Sequence, residues 1–185
     1  MGGVDKGLQL FRGRPMIEWA IARLAPQVAA VLINANQNLP RYQALGLPVV
    51  RDAVSGFAGP LAGLHRAMQE AATPLVATVP CDSPFLPLDL VARLSEALHA
   101  EQSQVAVAKT GTRAHPVFCL TRRDLLPHLE QFLNAGGRKI DAWYGALRVA
   151  EAAFDDEAEA FSNFNTLEEL RAAEFAMSDT RRHEE

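Results

Sequence analysis

Leu75-Val76-Ala77-Thr78-Val79-Pro80-Cys81-Asp82-Ser83-Pro84 decides the reading of this chain. Pro74 precedes an apolar, β-branched run and Pro80 ends it, so residues 75–79 read as a bounded strand. A buried run of this kind belongs inside a sheet covered on both faces. Asp82 then stands just past the strand's carboxyl end, between Pro80 and Pro84. In open α/β sheets that end is where ligands bind.

Working outward, the same grammar repeats. Val28-Ala29-Ala30-Val31-Leu32-Ile33 reads as a buried strand, too apolar to be half exposed. Pro48-Val49-Val50, Val105-Ala106-Val107-Ala108 and Val117-Phe118-Cys119-Leu120 are further short runs. Helical spacing separates them: Ile17, Ala20, Ile21 and Leu24 after Pro15; Leu61, Leu64, Ala67 and Met68; Leu88, Val91, Leu94 and Leu98; and Leu125 to Leu133. Thr166 with Glu169 reads as a capping box opening a final helix. Alternating strands and helices predict an α/β fold, a three-layer Rossmann-like sandwich with a mainly parallel sheet. Residues 1–177 are expected to form one domain and the polar segment 178–185 a frayed tail.

Composition narrows the function. Of 185 residues, 49% are hydrophobic and 22% charged, with a formal net charge of −4. That balance lacks the basic excess of a sequence-blind nucleic-acid binder. No apolar run is long enough to span a bilayer. The two cysteines, Cys81 and Cys119, lie in apolar runs, which suits reduced thiols and a cytoplasmic location. With His115 they lack the paired spacing of a zinc site.

Unusual residues gather at the strand ends. Asn34-Ala35-Asn36 follows one strand, Arg51-Asp52 the next and Pro80-Cys81-Asp82 a third, which describes one rim. A carboxylate at Asp82 can hold Mg²⁺ between phosphate oxygens, or cap the following helix. Lys6, flanked by Gly2, Gly3 and Gly7, can reach phosphates, or belong to a flexible terminus. Gly56 to Gly63 leads into a helix whose free N–H groups attract anions, or serves only as a connection. Asn163 and Asn165 share a face, where two amides grip a polar ligand or satisfy loop backbone. Arg113, His115 and Pro116 form a further polar cluster.

Together these motifs resemble the bacterial molybdenum cofactor guanylyltransferases, within the wider class of nucleotidyltransferases. They are Met1-Gly2-Gly3-Val4-Asp5-Lys6-Gly7, Asn34-Ala35-Asn36, Arg51-Asp52, Gly59-Pro60-Leu61-Ala62-Gly63, Pro80-Cys81-Asp82, His115-Pro116 and Asn163-Phe164-Asn165-Thr166. The resemblance implies that GMP passes from GTP to molybdenum-molybdopterin, with pyrophosphate released. It implies Mg²⁺ on Asp82, phosphate contact by Lys6, a guanine nucleotide pocket lined by Asn34 and Asp52, and Asn163 and Asn165 on the pterin side. Molybdoenzymes, their chaperones or other cofactor-biosynthesis proteins are the implied partners. A cytidylyl or sugar-phosphate transferase and a non-catalytic molybdopterin binder are the alternatives.

One departure stands at the start. The family opens with an apolar strand and a Leu-Ala-Gly-Gly-x-x-x-Arg loop before Met-Gly-Gly, whereas this sequence begins at Met1. The expectation is a sheet without its first strand, through a start assigned too late or a shortened chain. Loss of catalysis in a shortened natural protein is the minority alternative.

Overall fold

A computed structural model describes residues 5–53 and 59–161 of the chain. After a 3-10 turn at Lys6–Leu8, β1 (Leu10–Phe11) pairs antiparallel with β2 (Arg14–Pro15). Then come α1 (Met16–Leu24), β3 (Ile33–Asn34), α2 (Leu39–Gln43), β4 (Val49–Val50), α3 (Pro60–Glu70) and β5 (Leu75–Thr78). The chain continues through α4 (Leu90–Ala100), β6 (Val105–Thr110), β7 (Arg113–Arg122), α5 (Leu126–Asn134), α6 (Ile140–Tyr144) and β8 (Val149–Ala153). A 3-10 segment, Asp155–Phe161, closes the described part.

The α/β class and its layers match the expectation, but the described sheet is mixed. Its order is β5-β7-β6-β8, with β7 antiparallel to both neighbours and β6 parallel to β8. The reason is the turn at Gly111-Thr112 between β6 and β7. So short a connection cannot carry a crossover, so the two strands form a hairpin. Gly111 takes φ +54°, the left-handed region open to glycine. A separate parallel ladder joins β3 to β4, Ile33 opposite Val49 and Asn34 opposite Val50.

Alternation along β6 builds two cores. Ala106 and Ala108 face one side, with Phe118, Leu120, Ala150 and Ala152, under Leu90, Leu94 and Leu98 of α4. The alanines let α4 pack close to the sheet. Val105 and Val107 face the other side, with Val76 and Cys119, under Leu61, Leu64 and Met68 of α3, Leu129 and Leu133 of α5 and Trp143 of α6. The fully buried Trp143 donates its indole N–H to His128 Nδ1 at 3.0 Å. Among the described residues, no helix is long and apolar enough to cross a membrane.

Two expectations need correction. Only Ile33 of the run 28–33 is buried, and the strand is Ile33–Asn34 alone. Among the described residues, β3 pairs with β4 on one side and β5 with β7 on one side. Between the two ladders lies a cavity of about 250 Å³ lined by Val31, Leu32, Ile33, Ala77 and Val79 from the strands and by Ile21 and Ala67 from α1 and α3. Val31 and Leu32 are half-buried because they border this space. Leu88, expected on the apolar face of a helix, precedes α4 and is 64% exposed. Its place in the core is taken by Leu86, fully buried.

This packing gives a contrast in stability. Leu94→Ala empties space between α4 and the sheet and should cost about 2–5 kcal/mol. Leu88→Ala touches no core and should stay within about 0.5 kcal/mol. Urea unfolding of both variants checks the difference.

Candidate active site

The expected rim is built from three strand ends. Asn34 ends β3, Asp52 follows β4, and Cys81 and Asp82 follow β5. The 3-10 turn carrying Lys6 packs beside them, because its Leu8 joins Ile17, Ile33 and Tyr42 in a small core. Gly7 makes the approach possible. A Cβ on Gly7 would lie 2.9 Å from Cys81 Sγ, 2.9 Å from the Tyr42 hydroxyl and 3.2 Å from Cys81 Cβ.

Lys6 and Asp82 meet across this contact, Nζ to Oδ2 at 3.6 Å. The lysine side chain is 38% exposed and the aspartate side chain 12%. The pair thus joins a buried carboxylate to a cation that still reaches solvent. The preceding carboxylate, Asp5, turns to α2, accepting from Tyr42 Oη at 2.5 Å and Asn38 Nδ2 at 2.9 Å. Cys81 counts as exposed, yet its Sγ lies against the buried Gly7. That enclosure first, then the charges of Asp82 and Asp5, raises the thiol to about 11. It stays protonated at neutral pH and adds no negative charge beside Asp82. Next along the chain, Ser83 is fully buried and its Oγ has no hydrogen-bond partner among the described residues.

The β3–β4 side is organised by a pair that the sequence reading divided differently. Asn36, not Asn34, holds Asp52: Asn36 Nδ2 donates to Asp52 Oδ2 at 2.8 Å, and Asp52 N–H donates to Asn36 Oδ1 at 3.0 Å. Asp52 Oδ1 is buried and has no partner among the described residues. Asn34 faces α3 instead, its Oδ1 3.0 Å from where a Gly63 Cβ would sit. Gly59 precedes α3 at φ +135°, a conformation suited to glycine. Pro60 takes the first helical position, where a missing N–H costs nothing. Residues 54–58 of the glycine-rich loop lie outside the described residues.

The remaining candidates divide. His115 is buried, stacks on Phe161 at 4.7 Å between ring centroids, and meets Thr110 Oγ1 at 2.8 Å. Burial, then the charge of Arg113, holds its pKa below the usual histidine range, so it stays neutral at pH 7. It therefore packs the end of the hairpin. Asn163 and Asn165 lie outside the described residues, as do Thr166 and Glu169. Among the described residues, no group of three or more His, Cys, Asp or Glu side chains forms a metal-binding cluster. Sequence reading singled out neither Tyr42, Asn38 nor Ser83. Only the adjacency of Asn38 and Tyr42 to the Asn-rich strand end hinted at the first two.

A turn that brings a lysine to a strand-end aspartate, with a helix N-terminus alongside, is an arrangement suited to a phosphate-bearing nucleotide. Solved structures share the fold. The molybdopterin-guanine dinucleotide biosynthesis protein A of Archaeoglobus fulgidus superposes with a TM-score of 0.77 at 22% identity, covering 96% of this chain and 92% of that one. The 2-C-methyl-D-erythritol 4-phosphate cytidylyltransferase of Thermus thermophilus gives 0.71 at 22% identity, with 94% of each chain covered. In sequence, the molybdenum cofactor guanylyltransferase of Cupriavidus taiwanensis is 51% identical over 179 residues, 94% of this chain and 89% of its own length. That of Bordetella petrii is 51% identical over 175 residues, 92% and 89% of the two chains. Residues 1–149 match the MobA-like NTP transferase domain, and the chain belongs to that family.

Gly7→Ala tests the close approach. The added methyl meets Cys81 and Tyr42, so the 3-10 turn must shift. Stability should fall by about 1–3 kcal/mol, the usual cost of overpacking. Chemical denaturation of the variant beside the parent reads this directly.

Proposed function

We infer that this chain transfers GMP from GTP to molybdenum-molybdopterin, giving the molybdopterin guanine dinucleotide cofactor and pyrophosphate. The observation that carries the reading is the 51% identity to guanylyltransferases across 94% of the chain. The Lys6–Asp82 pair at the rim supports a catalytic rather than a carrier role.

In this reading an oxygen of the molybdopterin phosphate attacks the α-phosphorus of GTP. The new P–O bond forms as the bond to pyrophosphate breaks, and the electron pair leaves with pyrophosphate. Such a transfer needs alignment and charge neutralisation more than covalent help. Lys6 contributes a cation to the nucleotide phosphates. Asp82 is the residue that would hold Mg²⁺. A lone buried carboxylate fits that ion, which commonly takes one or two protein carboxylates and completes its shell with phosphate oxygens and water. When bound, Mg²⁺ would supply positive charge to the phosphates.

Asp52 and Asn34 line the nucleotide pocket. The unpartnered Asp52 Oδ1 supports guanine, whose N1–H and N2–H₂ offer adjacent donors to a carboxylate. Asn163 and Asn165 belong to the pterin side by family resemblance alone. The product would pass in the cytoplasm to molybdoenzymes, their chaperones or other cofactor-biosynthesis proteins.

Two experiments test this. Asp82→Asn keeps the shape and removes one charge, so turnover should fall at least about a hundredfold. Normal turnover across a Mg²⁺ titration would remove Asp82 from the ligand set. In competition between GTP and CTP, the product should carry GMP, because a pocket built for one base leaves polar groups unpaired with another. Mass spectrometry of the dinucleotide reads the outcome, and preferential CMP incorporation would move the chain to the cytidylyl branch.

A further inference from the structure

We propose that Tyr42 and Asn38 are positioning residues for Lys6: by holding the Asp5 carboxylate on α2, they keep it from neutralising the neighbouring lysine. The proposal rests on the reading of Lys6 as the cation that meets the nucleotide phosphates.

Asp5 and Lys6 are adjacent in sequence. A carboxylate beside a flexible ammonium stem is a ready competitor for that ammonium. Here each Asp5 oxygen is taken by a different side chain. Oδ1 accepts from Tyr42 Oη at 2.5 Å, and Oδ2 accepts from Asn38 Nδ2 at 2.9 Å. Hydrogen bonds to an ionised acceptor are stronger than neutral ones, so this orientation is well held. Lys6 Nζ meets Asp82 Oδ2 at 3.6 Å.

The anchor itself is rigid. Tyr42 is 4% exposed and packs with Leu8, Ile17 and Ile33. Its phenol is raised far above the ordinary tyrosine value, by burial first and then by the bond to Asp5, so it remains a donor. Asn38 stands before α2 at φ +51°, a left-handed conformation that asparagine tolerates better than most residues. The same Tyr42 hydroxyl walls in Gly7, on the other side of Lys6. Both neighbours of the lysine thus lie against one tyrosine, Asp5 through a hydrogen bond and Gly7 by close approach.

The test is a double-mutant cycle on kcat/KM for GTP, with thermal melts alongside. Tyr42→Phe keeps the ring and frees one Asp5 oxygen. It should lower kcat/KM about tenfold, the scale of one hydrogen bond transmitted to the transition state. In a Lys6→Met background it should cause no further loss, since the lysine it protects is gone. Adding Asp5→Asn to Tyr42→Phe should recover most of the loss, because a neutral amide cannot neutralise Lys6. A merely structural tyrosine would give the same loss in both backgrounds and no recovery, and either result overturns the proposal. So does full activity of Tyr42→Phe. Normal turnover by Lys6→Met alone would overturn the reading of the lysine, and this proposal with it. An impaired Lys6→Met with additive loss would sink the positioning role only.

Discussion

The structure depends on two strand segments buried on both faces, Val105 to Ala108 of β6 and Phe118 to Thr121 of β7. β6 and β7 run side by side in the sheet, and every second residue enters a different core. Val105 and Val107 go under α3, α5 and α6, while Ala106 and Ala108 go under α4. Burial on both faces fixes register, since a slip of one residue would exchange the two sets. It also fixes where function can be placed. Where both faces are covered, polar groups emerge at the strand ends, as Asp82 does after β5. Asn34 and Asp52 stand at the ends of the separate β3–β4 ladder.

The rim combines groups whose charges would otherwise interfere. Three acids belong to this rim, Asp5, Asp52 and Asp82. Each has a distinct arrangement: Asp5 on α2, Asp52 on Asn36, Asp82 against Lys6. The protonated Cys81 thiol adds no fourth charge. An anionic substrate therefore meets a site in which much of the negative charge is already hydrogen-bonded or paired. Of the four buried side-chain polar atoms without a partner among the described residues, two belong to this site, Asp52 Oδ1 and Ser83 Oγ. Such atoms cost folding energy unless something satisfies them.

Much of this was legible in the residues. The bounded run 75–79 and the helical spacings placed β5, α1, α3, α4 and α5 to within a few residues, because strong apolar periodicity leaves little freedom. The rim followed from the polar residues after each run. What was not legible depended on partners remote in sequence. Val28 to Leu32 have strand composition, but a strand needs a neighbour on each side to be buried, and among the described residues β3 pairs with β4 alone. β8 escaped notice because Val149 to Ala153, mostly alanine with one glutamate, has little β-propensity and is held by pairing with β6. The Asn36–Asp52 pair was not foreseen, because only the fold shows which amide meets Asp52. Tyr42 carried no signal of its own in the sequence, since its hydroxyl acquires meaning only through Asp5.

The β6–β7 ladder contains one irregularity. Val107 faces Cys119, but the next residue, Ala108, faces His115, so residues 116–118 of β7 are passed over. Pro116 falls in this gap, where a residue without an N–H does no harm. Inward of the break, the pairing of Val105 to Val107 with Cys119 to Thr121 is locked by the two cores. Outward of it, the Thr110–Arg113 tip carries its own register. The break thus lets the base and the tip of one hairpin hold different registers, the tip being tied to the closing 3-10 segment through Gly111 on Asp155 and His115 on Phe161. An insertion or deletion in the tip would therefore break those contacts before it disturbed the register of the base.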